Sequence, residues 1–359
     1  MTVVMHPRPN PIVAAMYTLR DMDVDVIVTH GPAGCCFMAS RPLENAGVRV
    51  VTSALKDNDL IFGGADPLVR TAEEAIQRFH PRTMAVVGTC ASTIIGDDVA
   101  AAIRRVDKGD CNLFNVDCSG CLADNTLGAI RALKAGSKAG VISKEECDRQ
   151  TVLLKAATAL EKQKGMAGRT YLSPTKGPTK YGVAKRIANA LREGKKVAFV
   201  MLAKKELAYR YADMFLAAAE ACRELGGEVR CFANLDADKG LPRIRRYCTN
   251  ILGELDNSGV TVDIIGGLDE YAVIGDEMAE KVDEYQPDLR VFLDICHAYP
   301  DLRKDDILIT DQPRELANYL AQGFEFSVGE PSSHNMVMGT DKIVMLETAE
   351  TLREIARGE

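Results

Sequence analysis

Short, uninterrupted apolar runs alternate with longer amphipathic segments along this chain. Strands buried on both faces of a parallel sheet have this continuous apolar character, and the helices that connect them cover the two faces. The pattern therefore predicts an α/β fold with parallel sheets flanked by helices. In the first half, the predicted strands are Val24–His30, Val48–Ser53, Thr83–Thr89 and Asn112–Asp117, and the predicted helices are Ala65–Phe79 and Gly96–Val106.

The alternation resumes after a helical connector. Ser143 and Glu146 match a capping box, so a helix is expected to start there and to run to about Lys164. A Pro- and Gly-containing segment at 173–178 then interrupts the helix. The strands predicted beyond it are Val197–Met201, Glu228–Leu235, Val260–Gly266, Arg290–Ile295, Ile307–Thr310 and Phe324–Val328, and the helices are Glu206–Leu225, Leu241–Leu255 and Lys342–Arg357. The predicted regions are a first α/β domain at 1–142, the connector at 143–175, a second α/β domain at 176–286, and a third small α/β unit with the C-terminal helix at 287–359.

Composition excludes several classes of function. The net charge of -7 argues against a general nucleic-acid or acidic-membrane surface, since both need a basic face. Because Trp is absent, the chain has no tryptophan on which bases could stack. No stretch reaches the ~18–20 apolar residues of a membrane span, and residues 1–8 lack a signal-peptide core, so a cytoplasmic location is expected. The 11 cysteines follow no framework spacing and are expected to be thiols.

Two cysteines follow predicted strands directly. Cys35 ends the segment His-Gly-Pro-Ala-Gly-Cys, and Cys90 ends Val-Gly-Thr-Cys. Ligands bind where parallel strands end, and the glycine-rich loop before Cys35 can turn backbone N–H groups toward a bound group. An iron–sulfur cubane takes four cysteine ligands, so a second copy of the chain would have to supply two. Position alone leaves another interpretation open, in which both are buried thiols that act as small apolar residues.

A Cys-x-x-Cys sequence, Cys118 to Cys121, follows the strand predicted at Asn112–Asp117. This spacing is compatible with a redox pair or auxiliary metal ligands, but zinc would need a second pair. We interpret the two as incidental. Cys36, adjacent to Cys35, is expected to point elsewhere.

Polar side chains follow the predicted strands of the second half. Cationic groups that converge on one cleft suit a ligand with several carboxylates or phosphates. For any single residue, a solvated loop or helix cap is the alternative. The chain has neither a phosphate-binding loop of the Gly-x-x-x-x-Gly-Lys-Ser/Thr type nor a Gly-x-Gly-x-x-Gly dinucleotide motif, so it is not expected to bind ATP or NAD itself. The strand-end residues are Lys204, Lys205, Lys239, Asp269, Glu270, His297 and Arg314.

The two cysteine motifs resemble those that hold the bridging cluster in the nitrogenase component 1-type superfamily. Cys90 continues as Ala-Ser-Thr-Ile-Ile-Gly-Asp-Asp, and Ile61–Gly64 matches a short turn between the motifs. The first cysteine of the superfamily would fall near Pro9, where this chain has none, which excludes a simple nitrogenase α-subunit or protochlorophyllide reductase. Stretches along most of the chain resemble the catalytic components of nickel-tetrapyrrole reductive cyclases in methanogens, a branch of this superfamily: His6–Pro9, Ala15–Asp21, Ala203–Tyr209, Asn234–Leu241 and Gly266–Tyr271.

The resemblance implies two to three Rossmann-like domains and a homodimer. Cys35 and Cys90 of each copy would hold one [4Fe-4S] cluster at the dimer interface. A nitrogenase reductase-like ATPase would supply electrons, and the substrate would be a nickel tetrapyrrole reduced with closure of a γ-lactam, on the way to coenzyme F-430. Residue types and positions then suggest His297, Asp269 and Glu270 as proton donors. The candidate substrate ligands are His6, Arg8, Lys204, Lys205, Lys239 and Arg314.

Three other functions are kept in view. The chain could be a nitrogenase-like reductase of another tetrapyrrole or small molecule, or a carrier of a cluster or tetrapyrrole that performs no catalysis. The simplest alternative is an α/β protein with buried thiols and no cluster. Anaerobic iron and sulfide analysis separates the last from the others, and turnover separates the enzyme from the carrier.

Overall fold

A computed structural model describes residues 10–35, 37–118, 125–164, 172, 177–331 and 337–358. Two compact units divide the chain. Within the described residues, the N-terminal unit lies in 10–160 and includes 241–243, and the C-terminal unit lies in 161–240 and 244–358. Each unit is built around its own parallel sheet. Among the described residues, no helix combines the length and the apolar character that crossing a membrane would require.

The N-terminal unit contains a four-stranded sheet with the order β2-β1-β3-β4, and every pairing is parallel. The strands are β1 Val26–His30, β2 Arg49–Thr52, β3 Thr83–Gly88 and β4 Asn112–Val116. The helices are α1 Pro11–Asp21, α2 Phe37–Asn45, α3 Asp57–Phe62, α4 Ala65–Phe79, α5 Cys90–Ile94, α6 Val99–Ile103, α7 Asn125–Lys138 and α8 Lys144–Lys164. The order reverses between β1 and β3, so the loops that follow these two strands border a crevice at the carboxyl edge of the sheet.

Burial explains why these segments form a sheet. All five residues of β1 are buried, as its uninterrupted apolar sequence predicts for a central parallel strand. One face of the sheet packs on Leu68, Ala72 and Ala75 of α4, three positions that lie on one side of that helix. On the other face, α1 packs on α7. Asn10 caps α1 by accepting the N–H of Val13 at 2.9 Å.

The C-terminal unit contains a six-stranded sheet with the order β10-β9-β8-β5-β6-β7, again parallel throughout. The strands are β5 Lys196–Leu202, β6 Glu228–Ala233, β7 Val262–Ile264, β8 Leu289–Asp294, β9 Ile307–Thr310 and β10 Ser327–Gly329. The helices are α9 Pro178–Arg192, α10 Ala208–Leu225, α11 Pro242–Asn257, α12 Gly275–Tyr285, α13 Pro313–Ala321 and α14 Glu347–Arg357. Helices α12 and α13 contribute to the apolar core on one face, and α9, α10 and α14 pack on one another.

The strand pairing corrects the prediction of a separate third unit at 287–359. β8 pairs with β5, from Val197 opposite Leu289 to Leu202 opposite Asp294. The strands expected in two separate regions therefore form one sheet, and 176–286 and 287–359 share one core. The chain runs outward from β5 to β7 and then returns to the other side of β5, which makes the β5–β8 boundary a second point of order reversal.

Candidate functional site

Cys35 and Cys90 lie at the order reversal of the N-terminal sheet. Cys35 follows β1 in a turn closed by its own N–H, which donates to the carbonyl of Pro32 at 3.0 Å. Cys90 is the first residue of α5, directly after the N-cap residue Thr89 at the end of β3. Both are free, half-buried thiols. Because β1 and β3 are neighbours, the sheet brings the two cysteine loops to the same edge.

A buried histidine connects the cysteine loops. The His30 ring, fully buried at the end of β1, lies 2.9 Å from Ser53 Oγ through Nδ1 and 3.0 Å from Asp97 Oδ2 through Nε2. Asp97 also accepts the N–H of Gly64 at 3.0 and 3.1 Å. With Nε2–H donating to Asp97 and Nδ1 accepting from Ser53, every group in the array is satisfied. Burial lowers the pKa of His30, and the Asp97 carboxylate partly opposes this.

Two glycines allow this close packing. A Cβ atom at Gly64 would lie 2.5 Å from Asp97 Oδ2 and 2.9 Å from His30 Cε1. A Cβ atom at Gly31 would lie 2.1 Å from Thr89 Oγ1. Any side chain at either position would push the cysteine loops apart. Both glycines belong to the motifs around the cysteines, whereas no local sequence pattern indicates a role for His30 or Asp97. Their partners are distant in sequence.

Exposed apolar side chains flank the cysteines. Phe37 and Met38 begin α2 just after Cys35, Ile61 and Phe62 end α3, and Ile94 ends α5, the helix that Cys90 begins. Their exposed fractions run from 71% for Phe37 to 86% for Phe62. We call these five residues the apolar rim. Large exposed apolar side chains on neighbouring elements of a folded unit are typical of an interaction surface.

The other thiols that the structure describes in this unit are less suited to bind metal, because burial raises the pKa of each. Burial raises the pKa of Cys118 to about 11, so this thiol keeps its proton at neutral pH. Cys36 and Cys121 lie outside the described residues. Within the part of the chain that the structure describes, no group of three or more His, Cys, Asp or Glu side chains could hold a metal ion. Cys35 and Cys90 therefore form at most half of a cluster site in one copy.

The order reversal of the C-terminal sheet carries the second candidate site. Lys204 and Lys205 follow β5, and their ammonium groups lie 2.8 and 2.5 Å from the two carboxylate oxygens of Glu270. Asn234, after β6, fixes this loop because its amide accepts the N–H of Ala203 at 2.9 Å and donates to the Ala203 carbonyl at 2.8 Å. The site is thus a pair of lysines held against one carboxylate.

Buried acidic residues adjoin the loop that carries Lys204 and Lys205, which we call the lysine loop. Asp294 ends β8 with a φ of 70°, a left-handed conformation, and its Oδ2 accepts the N–H of Lys204 at 2.8 Å. Burial raises the pKa of Asp294 well above its ordinary value, and the charge of Asp311 adds to this effect. Asp311 follows β9 and is itself buried. Tyr211, whose pKa is raised by burial and then by these two acids, completes the cluster.

His297 follows β8 on the next loop. Its Nδ1 lies 3.1 Å from the hydroxyl of Tyr319 and 3.3 Å from Glu315 Oε2. The Tyr271 ring packs on the imidazole, with ring centroids 5.9 Å apart. A histidine in contact with a hydroxyl and a carboxylate can hold and move a proton.

The structure brings together part of the predicted substrate site. Lys204, Lys205, Asp269 and Glu270 form one cluster, since the N–H of Lys205 also donates to the Asp269 carbonyl at 3.3 Å. Other predicted ligands are more peripheral, because Lys239 is exposed and pairs with Asp236 at 3.2 Å, and Arg314 lies half-buried in the first turn of α13. His6 and Arg8 lie outside the described residues. All these assignments stay predictions.

Known proteins are similar to this chain over nearly its full length. A family model described as nitrogenase component 1 type oxidoreductase matches residues 11–165. Component CfbD of the Ni-sirohydrochlorin a,c-diamide reductive cyclase complex from Methanothermobacter thermautotrophicus is 42% identical over 354 residues, covering 97% of this chain and 98% of that protein. The component of the same name from Methanosarcina acetivorans is 40% identical over 362 residues, covering 99% and 98%.

More distant similarities are partial. The nitrogenase molybdenum-iron protein alpha chain of Clostridium pasteurianum is 33% identical over 104 residues, covering 26% of this chain and 19% of that protein. Among solved structures, nitrogenase Cp1 at pH 5 aligns over 99% of this chain and 88% of that chain, at 13% identity and a TM-score of 0.36. Similarity at that level adds nothing to the strand pairings, which confirm the predicted α/β fold with parallel sheets flanked by helices.

Proposed function

This chain belongs to the CfbD family of Ni-sirohydrochlorin a,c-diamide reductive cyclase components, and on that premise we propose the chemistry of its two sites. It is the catalytic subunit that reduces Ni-sirohydrochlorin a,c-diamide and closes a γ-lactam, giving the seco precursor of coenzyme F-430. The observation that carries this proposal is the 42% identity over 97% of the chain, since it includes both units and both points of order reversal.

Cys35 and Cys90 would hold half of a [4Fe-4S] cluster. The donor set fits, because both thiols are free, half-buried and at one sheet edge. A second copy of the chain would supply the other two thiolates, and the apolar rim beside them supports a homodimer with this edge at its interface. When bound, the cluster would accept and pass on single electrons. The chain's own contribution is to fix the two cysteine loops through the hydrogen bonds that join His30 to Ser53 and Asp97.

The second site would bind the tetrapyrrole carboxylates. Lys204 and Lys205 present two ammonium groups from one rigid loop, and each charge-assisted hydrogen bond would contribute about 1.5–3 kcal/mol. The peripheral Lys239 and Arg314 would extend the site. His6 and Arg8, the two basic residues near the N-terminus, are proposed as further ligands.

Ring reduction also consumes protons. His297 is supported as a donor by its contacts with Tyr319 and Glu315, which can orient the imidazole and replace its proton. Glu270 and Asp269 are proposed as donors from the lysine cluster. Both are buried at the carboxyl edge of the sheet, where a bound ring would be shielded from water.

A separate protein would supply the electrons. The sequence contains no phosphate-binding loop, so the proposed electron source is a nitrogenase reductase-like ATPase (CfbC) that docks on the dimer. In this arrangement ATP hydrolysis and single-electron delivery belong to the partner. Substrate binding, proton supply and ring closure belong to this chain.

The test is anaerobic turnover of the purified chain. Ni-sirohydrochlorin a,c-diamide, the reductase, ATP and a strong reductant should yield the ring-reduced, lactam-containing product, detected by mass spectrometry and by its absorption spectrum. Omission of ATP or of the reductase should stop the reaction. Binding without conversion would favour the carrier function, and conversion of a different tetrapyrrole alone would favour the other reductase. Protein free of iron and sulfide would contradict every cluster-based function.

A further inference from the structure

Asp294 is the last residue of β8, at the boundary with β5 where the strand order of the C-terminal sheet reverses. Only 2% of the residue is exposed. Its Oδ2 accepts the N–H of Lys204 at 2.8 Å, so this carboxyl lies directly against the lysine loop of the proposed substrate site. The proposed function gives this carboxyl no role.

No cation neutralises the Asp294 carboxyl within the part of the chain that the structure describes. The side chain there has one hydrogen bond, from the uncharged main-chain N–H of Lys204, and no ion pair. A carboxylate buried in this way has lost its hydration without gaining a cation, so the uncharged form is favoured. Burial accordingly raises the pKa of Asp294 well above its ordinary value, the charge of Asp311 acts in the same direction, and Lys204 opposes both.

A buried tyrosine hydroxyl lies near the same carboxyl. Tyr211, on α10, is 1% exposed, and among the described residues its hydroxyl has no hydrogen-bond partner. The charges of Asp311 and Asp294 add to the effect of burial on the pKa of Tyr211, because both carboxyls are close to the hydroxyl. A buried donor that lacks an acceptor is rare in native proteins and needs an explanation. A negative charge on Asp294 would provide that acceptor.

We propose that Asp294 is uncharged in the resting protein, that it gives its proton to the tetrapyrrole when the ring is reduced, and that the Tyr211 hydroxyl then donates to the carboxylate left behind. This inference rests on the proposed function. The O–H bond of Asp294 breaks and a C–H bond forms on the ring, while the electrons for that bond come from the proposed reductase. Asp294 loses a proton and no electron, and solvent returns a proton to it before the next reduction.

The other uncharged groups around Asp294 are weaker acids. Sγ of Cys296 lies 3.7 Å from the main-chain oxygen of Asp294, and burial raises the pKa of this thiol. Burial also raises the pKa of the Tyr319 hydroxyl on α13, which is near enough to sense the Asp294 charge. A carboxyl is intrinsically more acidic than a thiol or a phenol. Asp294 is therefore the best proton donor among these three groups.

Infrared spectroscopy tests the resting state. With isotope-labelled aspartate carboxyls, the wild-type chain should show the band of a protonated carboxyl at neutral pH, and this band should shift in heavy water. Asp294→Asn should lack the band and still fold, because an amide can accept the Lys204 N–H and Asn tolerates the φ of 70°. Asp283→Asn, at an exposed aspartate of α12, is the matched control and should keep the band. A wild-type spectrum without the band overturns the inference.

Anaerobic turnover with Ni-sirohydrochlorin a,c-diamide, the reductase, ATP and a strong reductant tests the role in the reaction. Asp294→Asn should keep the KM for the tetrapyrrole, since the lysine loop keeps its contact, while kcat falls by about 100-fold. Tyr211→Phe should keep the infrared band and lower kcat to a smaller extent, because it lacks only the donor to the carboxylate.

An unchanged kcat in Asp294→Asn overturns the inference and leaves the proposed function standing. If Asp294→Asn does not fold, Tyr211→Phe takes its place, and an unchanged kcat in that variant overturns the inference. Failure of the wild-type chain to convert the tetrapyrrole overturns both the inference and the proposed function.

Discussion

Nε2 of His30 lies 3.0 Å from Oδ2 of Asp97, a residue 67 positions further along the chain. This contact joins the end of β1, which leads to Cys35, to the loop that follows the short helix begun by Cys90. The same carboxylate holds the N–H of Gly64, so three separate segments meet at one buried side chain. The relative placement of the two thiols therefore depends on groups that are not themselves metal ligands.

Removing the Asp97 carboxylate should loosen this junction. Asp97→Ala leaves Nε2 of His30 and the Gly64 N–H without their partner, and each unsatisfied buried group costs about 1–3 kcal/mol. We expect a lower free energy of unfolding for the metal-free protein in urea, and less iron retained after reconstitution. Asp110→Ala, at an exposed aspartate of the same unit, is the control. Equal stability of the two variants would contradict the structural role of the contact.

The buried His30 predicts loss of stability in acid. Because burial lowers its folded-state pKa below the ordinary 6.5, the unfolded chain binds the extra proton first as the pH falls. The stability contribution is complete above pH 6.5 and declines below it, by up to about 1.4 kcal/mol per pH unit. Denaturant unfolding of the metal-free protein from neutral to mildly acidic pH measures this slope. His30→Gln should flatten the slope, and His80→Asn at an exposed histidine should not.

The raised pKa of Asp294 predicts the opposite dependence of stability on pH. Its folded-state pKa is raised, so the folded chain keeps a proton that the unfolded chain releases above its ordinary value of 3.8. Stability from this group is present below that value and is lost as the pH rises toward the folded-state pKa, again by up to about 1.4 kcal/mol per pH unit. Asp294→Asn should remove this loss, since an amide can still accept the Lys204 N–H and Asn tolerates the left-handed conformation. An unchanged slope in urea unfolding, matching that of the exposed control Asp283→Asn, would argue against a buried acid here.

The cysteine pair predicts the iron content. Cys35→Ala and Cys90→Ala should each lose most of the iron and sulfide of anaerobically reconstituted protein, because each change removes two ligands from the cluster that we propose two copies share. Cys222→Ala, at a half-buried thiol of α10, should retain the wild-type content. Iron and sulfide analysis and the visible absorption spectrum provide the measurement. Full cluster content in both strand-end variants would refute the ligand assignment.

The apolar rim predicts the contact surface of the proposed homodimer. Phe62→Glu and Ile94→Glu place charges on side chains that are 86% and 80% exposed in one copy, so folding of the unit should be little affected. Burying these charges at an interface would cost several kcal/mol, and sedimentation should report a shift from dimer to monomer. Val152→Glu, at another exposed apolar residue, should remain dimeric. A dimer that persists in both rim variants would place the contact elsewhere.

Local pattern predicted the strands better than the helices. The strand Ile307–Thr310 occurs with the predicted bounds, and most other predicted strands differ by one or two residues at one or both ends. Among the predicted helices, Ala65–Phe79 occurs with the predicted bounds. Helix α1 was not predicted, and all of Pro11–Asp21 is buried, so it has no polar face to produce a helical period.

The sequence by itself determined that this chain forms parallel sheets and that Cys35, Cys90, Lys204 and His297 follow strands, because a doubly buried strand must be apolar along its length. Only the tertiary structure decided that β8 pairs with β5, that Glu270 faces both lysines, and that Asp97 reaches His30. Strand order and side-chain pairing across tens of residues depend on which apolar faces pack together. The local period of one segment carries no information about that choice.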